Sequence, residues 1–177
     1  MNGLPQYAVA IALENREENS GKWGSIDLGV IYLPELDVLF SAIRGKGAWR
    51  DGEPVHIPAK ERQLQLLSHW WPKEPDDHYE AWGRLVGRLL KEVTDIRNIG
   101  SPCAELAYAA EGTLGGFFAR DMEPWDLAAG MLIIEEAGGA WLDPFHDNPL
   151  ASGWICAGAK DTADWMRDVM RQEVSYS

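Results

Sequence analysis

The sequence predicts an α/β chain in two parts, an antiparallel meander followed by strands that alternate with helices. Three observations carry this. Up to about residue 56, short apolar runs alternate with turn chemistry, the pattern of successive antiparallel strands. Beyond residue 58, strand-length apolar runs are separated by segments of helical periodicity. With 46% of its 177 residues hydrophobic, the chain can bury a real core in one domain or two small ones.

In the first part, strands are expected over 7–13, 26–33 and 38–44, with short pieces near Ala48 and Pro54. The polar run Glu14-Asn15-Arg16-Glu17-Glu18-Asn19-Ser20-Gly21 reads as a solvated hairpin loop. Asp51-Gly52 is a tight-turn signal. In the second part, 64–71 reads as a strand, 78–91 as an amphipathic helix and 93–99 as a strand. A helix over 102–111, a strand over 114–119 and a helix over 126–137 follow, the last stopped by Gly138-Gly139. A short strand near Trp141, a strand over 154–157 and a helix over 162–172 complete the chain. A boundary at 58–61 divides it into a sheet unit, 1–58, and an α/β unit, 59–177. Nothing before the meander supplies helices to bury the second face of its sheet.

Composition excludes several function classes. Lys and Arg total 16 against 28 Asp and Glu, and the resulting charge of -12 disfavours nucleic acid or an anionic membrane as a general partner. The nine tryptophans are scattered without interleaved basic residues, so they read as core and rim packing rather than a base-stacking platform. The opening Met1-Asn2-Gly3-Leu4-Pro5 lacks the basic and apolar regions of a signal peptide, and no apolar run has membrane-spanning length. Cys103 and Cys156 lie far apart with no zinc spacing, which favours a reducing cytoplasm and leaves a disulfide between them open. His56, His69, His78 and His146 show no ligand spacing and read as structural or surface residues.

The most informative stretch is Glu123-Pro124-Trp125-Asp126-Leu127-Ala128-Ala129-Gly130, continuing to Glu135-Glu136-Ala137-Gly138-Gly139. The Pro-Trp entry puts Asp126 at a helix N-terminus, where the macrodipole favours an ionised carboxylate. Such a group can bind a hard cation or a sugar hydroxyl, or it can simply cap the helix. The small residues Ala128, Ala129 and Gly130 would let the first turn approach another element closely.

Trp-Asp-x-Ala-Ala-Gly, with Glu-Ala-Gly-Gly a helix length later, resembles the C-terminal signature of the inositol monophosphatase family. The order Gly29-Val30-Ile31-Tyr32-Leu33-Pro34, Gly45-Lys46-Gly47-Ala48-Trp49 and Asp51-Gly52-Glu53-Pro54-Val55 is similar to that family's central meander. Asn2-Gly3-Leu4-Pro5-Gln6-Tyr7-Ala8-Val9 looks like the strand after its Asp-Pro-Leu/Ile-Asp-Gly-Thr-x-Asn-Phe motif. The resemblance covers essentially the whole chain. It implies a partial αβαβα sandwich of the inositol monophosphatase and fructose-1,6-bisphosphatase type, and Asp126 as a magnesium ligand.

Gly100-Ser101-Pro102-Cys103 joins a strand to a helix. Gly100 frees the backbone, Ser101 can cap and Pro102 suits the first helical position, which capping alone would explain. The resemblance implies that this segment lines the substrate pocket. Arg120, at a strand end, is a candidate contact for a substrate phosphate. Asp121 and Glu123 read as acids of a solvated loop.

The resemblance implies catalysis by two or three magnesium ions, which polarise the phosphate, activate water and stabilise the leaving oxygen. Of the implied ligands, only Asp126 has a counterpart here, and the water-activating residues have none. One carboxylate does not hold magnesium usefully, so the chain alone is expected to be inactive. Met1 falls where the absent motif should end, which suggests a truncated gene model, an internal start or an isolated fragment. Family members that act on inositol phosphates carry a glutamate seven positions before the signature aspartate, and Ala119 stands there. A small phosphorylated metabolite remains the expected substrate, with sugar bisphosphates, histidinol phosphate and adenosine bisphosphate open. The alternative is a non-catalytic module that keeps the scaffold for binding or dimerisation. An uncovered apolar sheet face would favour self-association, a homodimer included.

Overall fold

A computed structural model of the chain describes residues 6–15, 22–58, 66–69 and 79–174. β1 (Val9–Asn15), β2 (Ser25–Leu33), β3 (Val38–Ile43), β4 (Gly47–Arg50) and β5 (Glu53–Val55) form an antiparallel sheet in sequence order. Asp51-Gly52 makes the turn between β4 and β5, and the Asp51 carboxylate accepts the Leu39 N–H at 2.8 Å. Residues 16–21 of the expected hairpin loop, the opening 1–5 and the Trp70-Trp71 pair lie outside the described residues.

Alternation along these strands sorts their side chains onto two unlike faces. Register aligns Ala12, Gly29, Ala42 and Ala48 on one face, with Ile31 and Phe40 beside them. Gly29, Ile31, Phe40, Ala42 and Ala48 are all buried there. The opposite face carries Val9, Ile11, Leu13, Leu39 and Ile43, which are 41–62% exposed.

The second sheet has the order β7-β6-β8-β10-β9, from β6 (Leu66–His69), β7 (Asp95–Arg97), β8 (Gly116–Ala119), β9 (Ala140–Leu142) and β10 (Ile155–Gly158). β6 runs parallel to β7 and β8, while β10 runs antiparallel to β8 and β9.

Two helices fill the space between the sheets. α2 (Pro102–Ala110) and α3 (Pro124–Glu136) belong to one apolar core that also takes Ile31 and Phe40 from the first sheet and Phe117 and Ile155 from the second. α3 buries every residue from 127 to 134, as a helix covered on all sides must. α1 (Tyr79–Leu89) and α5 (Lys160–Glu173) are amphipathic and cover the far side of the second sheet. There Trp82, Leu85 and Met166 join Phe118 and Trp154 in a second core. The layers therefore run sheet, helices, sheet, helices, and no described element covers the outer face of the first sheet.

Some boundaries move for physical reasons. α3 starts two residues before the expected 126, because Pro124 occupies the first helical position. The strand expected over 93–99 narrows to Asp95–Arg97, and that expected over 114–119 begins at Gly116. The strand expected over 64–71 and the helix expected from 78 are described only within Leu66–His69 and from Tyr79. The 3₁₀ turn at Pro34–Leu36 and α4 (Pro149–Ser152) are too short to show periodicity. Both cysteines are free. No described helix is long and apolar enough to cross a membrane.

Candidate active site

Asp126 sits in the first turn of α3, at its third helical position, with Glu123 as the N-cap. Its Oδ2 accepts the backbone N–H of Glu123 at 3.3 Å, so the half-buried carboxylate folds back toward the helix start. The free amides of the first turn give that end a partial positive charge. The residues behind Asp126 are small for a reason of packing. A Cβ on Gly29 of β2 would lie 2.8 Å from the Ala129 carbonyl oxygen, and one on Gly130 would lie 2.6 Å from the Leu106 Cβ. α3 is thereby pressed against both β2 and α2.

That packing brings the start of α2 to the start of α3. The Cys103 thiol donates to the backbone oxygen of Asp126 at 3.4 Å. Burial, reinforced by the Asp126 charge, pushes the Cys103 thiol up to about 11 from an ordinary value near 9, so it is a packing group rather than a nucleophile at neutral pH. Gly100, Ser101 and Pro102 immediately precede Cys103. Ser101 is the N-cap of α2 and makes no side-chain capping bond, and Pro102 takes the first helical position.

One residue of this region has no counterpart in the sequence reading. Glu105 is fully buried, and its Oε1 accepts the N–H of Ile99 at 2.6 Å and of Gly100 at 3.2 Å. An acid among Ala104, Leu106 and Ala107 was the available signal, but residue type does not reveal which backbone it serves.

Arg120 lies elsewhere in its surroundings. Its side chain is 3% exposed, faces Asp121 with Nε–Oδ2 at 3.3 Å and has its guanidinium over the Trp154 ring, 5.7 Å from the centroid. Asp121 takes a left-handed φ of 59° to turn the chain from β8 toward α3. Ala119 is fully buried in β8, opposite Ile155.

A groove of about 220 Å³ opens beside the start of α3, lined by Ala10, Ala12, Glu14, Trp23, Pro124 and Trp125 among others. Trp125 is 71% exposed at its rim. Among the described residues, no three His, Cys, Asp or Glu side chains converge in a way that could hold a metal ion. Asp126 fits one ligand position for a hard cation, and the described residues do not complete the set.

The signature seen in the sequence also has a structural side. The Glu136 carboxylate at the end of α3 accepts the N–H groups of Gly45 and Gly47 at 2.7 and 2.8 Å, while Arg44 Nη1 meets Glu135 Oε1 at 3.0 Å. Two separate stretches of the resemblance thus meet in space. The model of the inositol monophosphatase family matches residues 1–174. This chain belongs to the inositol monophosphatase family. Within the family, it is 34% identical over 174 residues to Nus factor SuhB of Escherichia coli strain K12, covering 97% of this chain and 62% of that one. It is 31% identical over 176 residues to inositol-1-monophosphatase of Rhizobium meliloti, covering 98% and 64% respectively. The crystal structure of extragenic suppressor protein suhB from Bartonella henselae superposes with a TM-score of 0.85 at 30% identity, over 94% of this chain and 62% of that one. Inositol monophosphatase from Anabaena gives 0.76 at 30% identity, over 84% and 60%. The αβαβα-type fold expected from the resemblance is therefore the fold of this chain's structural relatives. The chain spans 62% of the length of the first of these relatives.

Proposed function

We propose that these residues form the C-terminal part of a magnesium-dependent phosphomonoesterase that hydrolyses a small phosphorylated metabolite. The observation that carries the reading is Asp126, a carboxylate at the start of α3 that is linked through Cys103 to the start of α2, in a chain of this family. Magnesium, when bound, would polarise the phosphate and lower the pKa of a coordinated water. Asp126 is the residue that would hold it. Because the ion demands near-octahedral oxygen ligation, one carboxylate is insufficient, and no catalytic step is assigned to this chain alone.

Gly100, Ser101 and Pro102 are proposed as substrate contacts at the adjoining helix start. Arg120 is proposed as a phosphate contact, a role that requires its buried guanidinium to leave Trp154. Ala119 supplies no acceptor for ring hydroxyls, so a substrate other than inositol phosphate is favoured. The bulk charge of -12 supports a protein that acts on neither nucleic acid nor membrane surfaces, and a cytoplasmic location is part of the same reading.

The test is phosphate release from a panel of small phosphomonoesters by the purified 177-residue chain with magnesium. No release is expected. Release that disappears on Asp126→Asn would overturn the inactivity of the chain alone. A completed enzyme should prefer sugar or nucleotide phosphates, and a profile dominated by inositol phosphate would refute the inference from Ala119.

A second reading, a non-catalytic binding or homodimerising module, is favoured by the exposed Val9, Ile11, Leu13, Leu39 and Ile43 on one sheet face.

A further inference from the structure

α2 buries an ionisable side chain among alanines and leucines. Taking a carboxylate out of water is costly unless hydrogen bonds replace the hydration. For Glu105, fully buried, two such bonds come from the N–H groups of Ile99 and Gly100, both accepted by Oε1. These amides precede the N-cap Ser101, so the carboxylate holds the incoming loop rather than the helix's own first turn.

The loop it holds has a particular shape. Gly100 adopts φ +88°, a left-handed conformation that costs other residues about 1–2 kcal/mol. A Cβ there would meet nothing within 4 Å. Gly100 is thus required by its backbone angle and not by crowding. The loop is anchored from the core side by Glu105 and open on the other.

We infer that Glu105 is a positioning residue, whose buried carboxylate sets the Ile99-Gly100 backbone and so aims Gly100-Ser101-Pro102 at a substrate hydroxyl or phosphate. The inference rests on the proposed function, in which this segment touches the substrate. Glu105 itself touches no substrate. Its effect passes through two backbone amides.

The test is amide NMR on the chain and its variants, titrated with fructose 1,6-bisphosphate and with adenosine 3′,5′-bisphosphate in magnesium buffer. Wild type should show shifts at the Gly100 and Ser101 amides. Glu105→Gln, which keeps an Oε1 acceptor, should retain that response. Glu105→Leu, apolar and of similar size, should keep a dispersed spectrum but bind about tenfold or more weakly, equivalent to about 1.4 kcal/mol. Gly100→Ala, which adds no contact, should weaken binding in the same way.

Rescue by Gln combined with loss in Leu would separate positioning from simple stabilisation of the fold. If Glu105→Leu does not fold, Glu105→Asp takes its place, since it withdraws the carboxylate by one methylene. Wild-type affinity in Glu105→Leu or Glu105→Asp together with Gly100→Ala would overturn the inference and leave the substrate reading standing. A wild-type chain whose Gly100 and Ser101 amides respond to neither probe would overturn both.

Discussion

Gly29 stands where β2 meets α3, and a methyl group there would sit 2.8 Å from a backbone oxygen that no rotamer change can move. Gly29→Ala should therefore destabilise the chain by about 1–3 kcal/mol, measured as a lower urea midpoint with unchanged slope. Cys103 makes a different prediction. Its thiol is pushed up to about 11, so the folded chain keeps that proton longer than the unfolded chain does. Stability from this group is unaffected below pH 9 and declines as pH rises from there toward 11. Alkylation at pH 8 should be about tenfold or more slower in the folded chain than in denatured chain, and equal rates would contradict the burial. The place of Asp126 at a helix start was legible in the sequence from its Pro-Trp entry. Glu105 was not, because its partners are backbone amides with no signature. Arg120 was read by residue type alone, which could not reveal the ring of Trp154 beneath its guanidinium.

At the scale of elements, the end of α3 is tied to the β3–β4 turn by the Glu136 carboxylate, which accepts from both Gly45 and Gly47. Glu136→Ala removes both acceptors and should cost about 1–2 kcal/mol, with faster hydrogen exchange at those two amides. Unchanged exchange would show that the turn holds itself. The meander was readable because strand alternation and the Asp51-Gly52 turn are local signals. α3 was readable from its apolar run, although its start depended on Pro124. Four-residue α4 was not, because it is too short for periodicity and its start is marked by a side-chain cap in which Asn148 Oδ1 accepts the Leu150 N–H at 2.9 Å. Such a cap looks like any polar loop in sequence.

Across the molecule, the first sheet has one face closed by α2 and α3 and one face carrying exposed Val9, Ile11 and Leu13 on its edge strand. An apolar face of this kind favours association. The purified chain should bind a hydrophobic dye and self-associate, and Ile11→Lys with Leu13→Lys should reduce both. A monomer that binds no dye would count against this reading. The expected division at 58–61 follows the change from one sheet to the other, yet a single apolar core joins them through α2 and α3, so we propose one cooperative unfolding transition rather than two. The central claim is that Asp126 belongs to the metal site of a phosphomonoesterase. The most direct test is magnesium-dependent phosphate release by these residues joined to a family N-terminal segment that carries the Asp-x-x-Asp-Gly-Thr motif, compared with the same protein carrying Asp126→Asn. Release that is lost on substitution is expected, and release that persists unchanged in Asp126→Asn would place Asp126 outside the metal site.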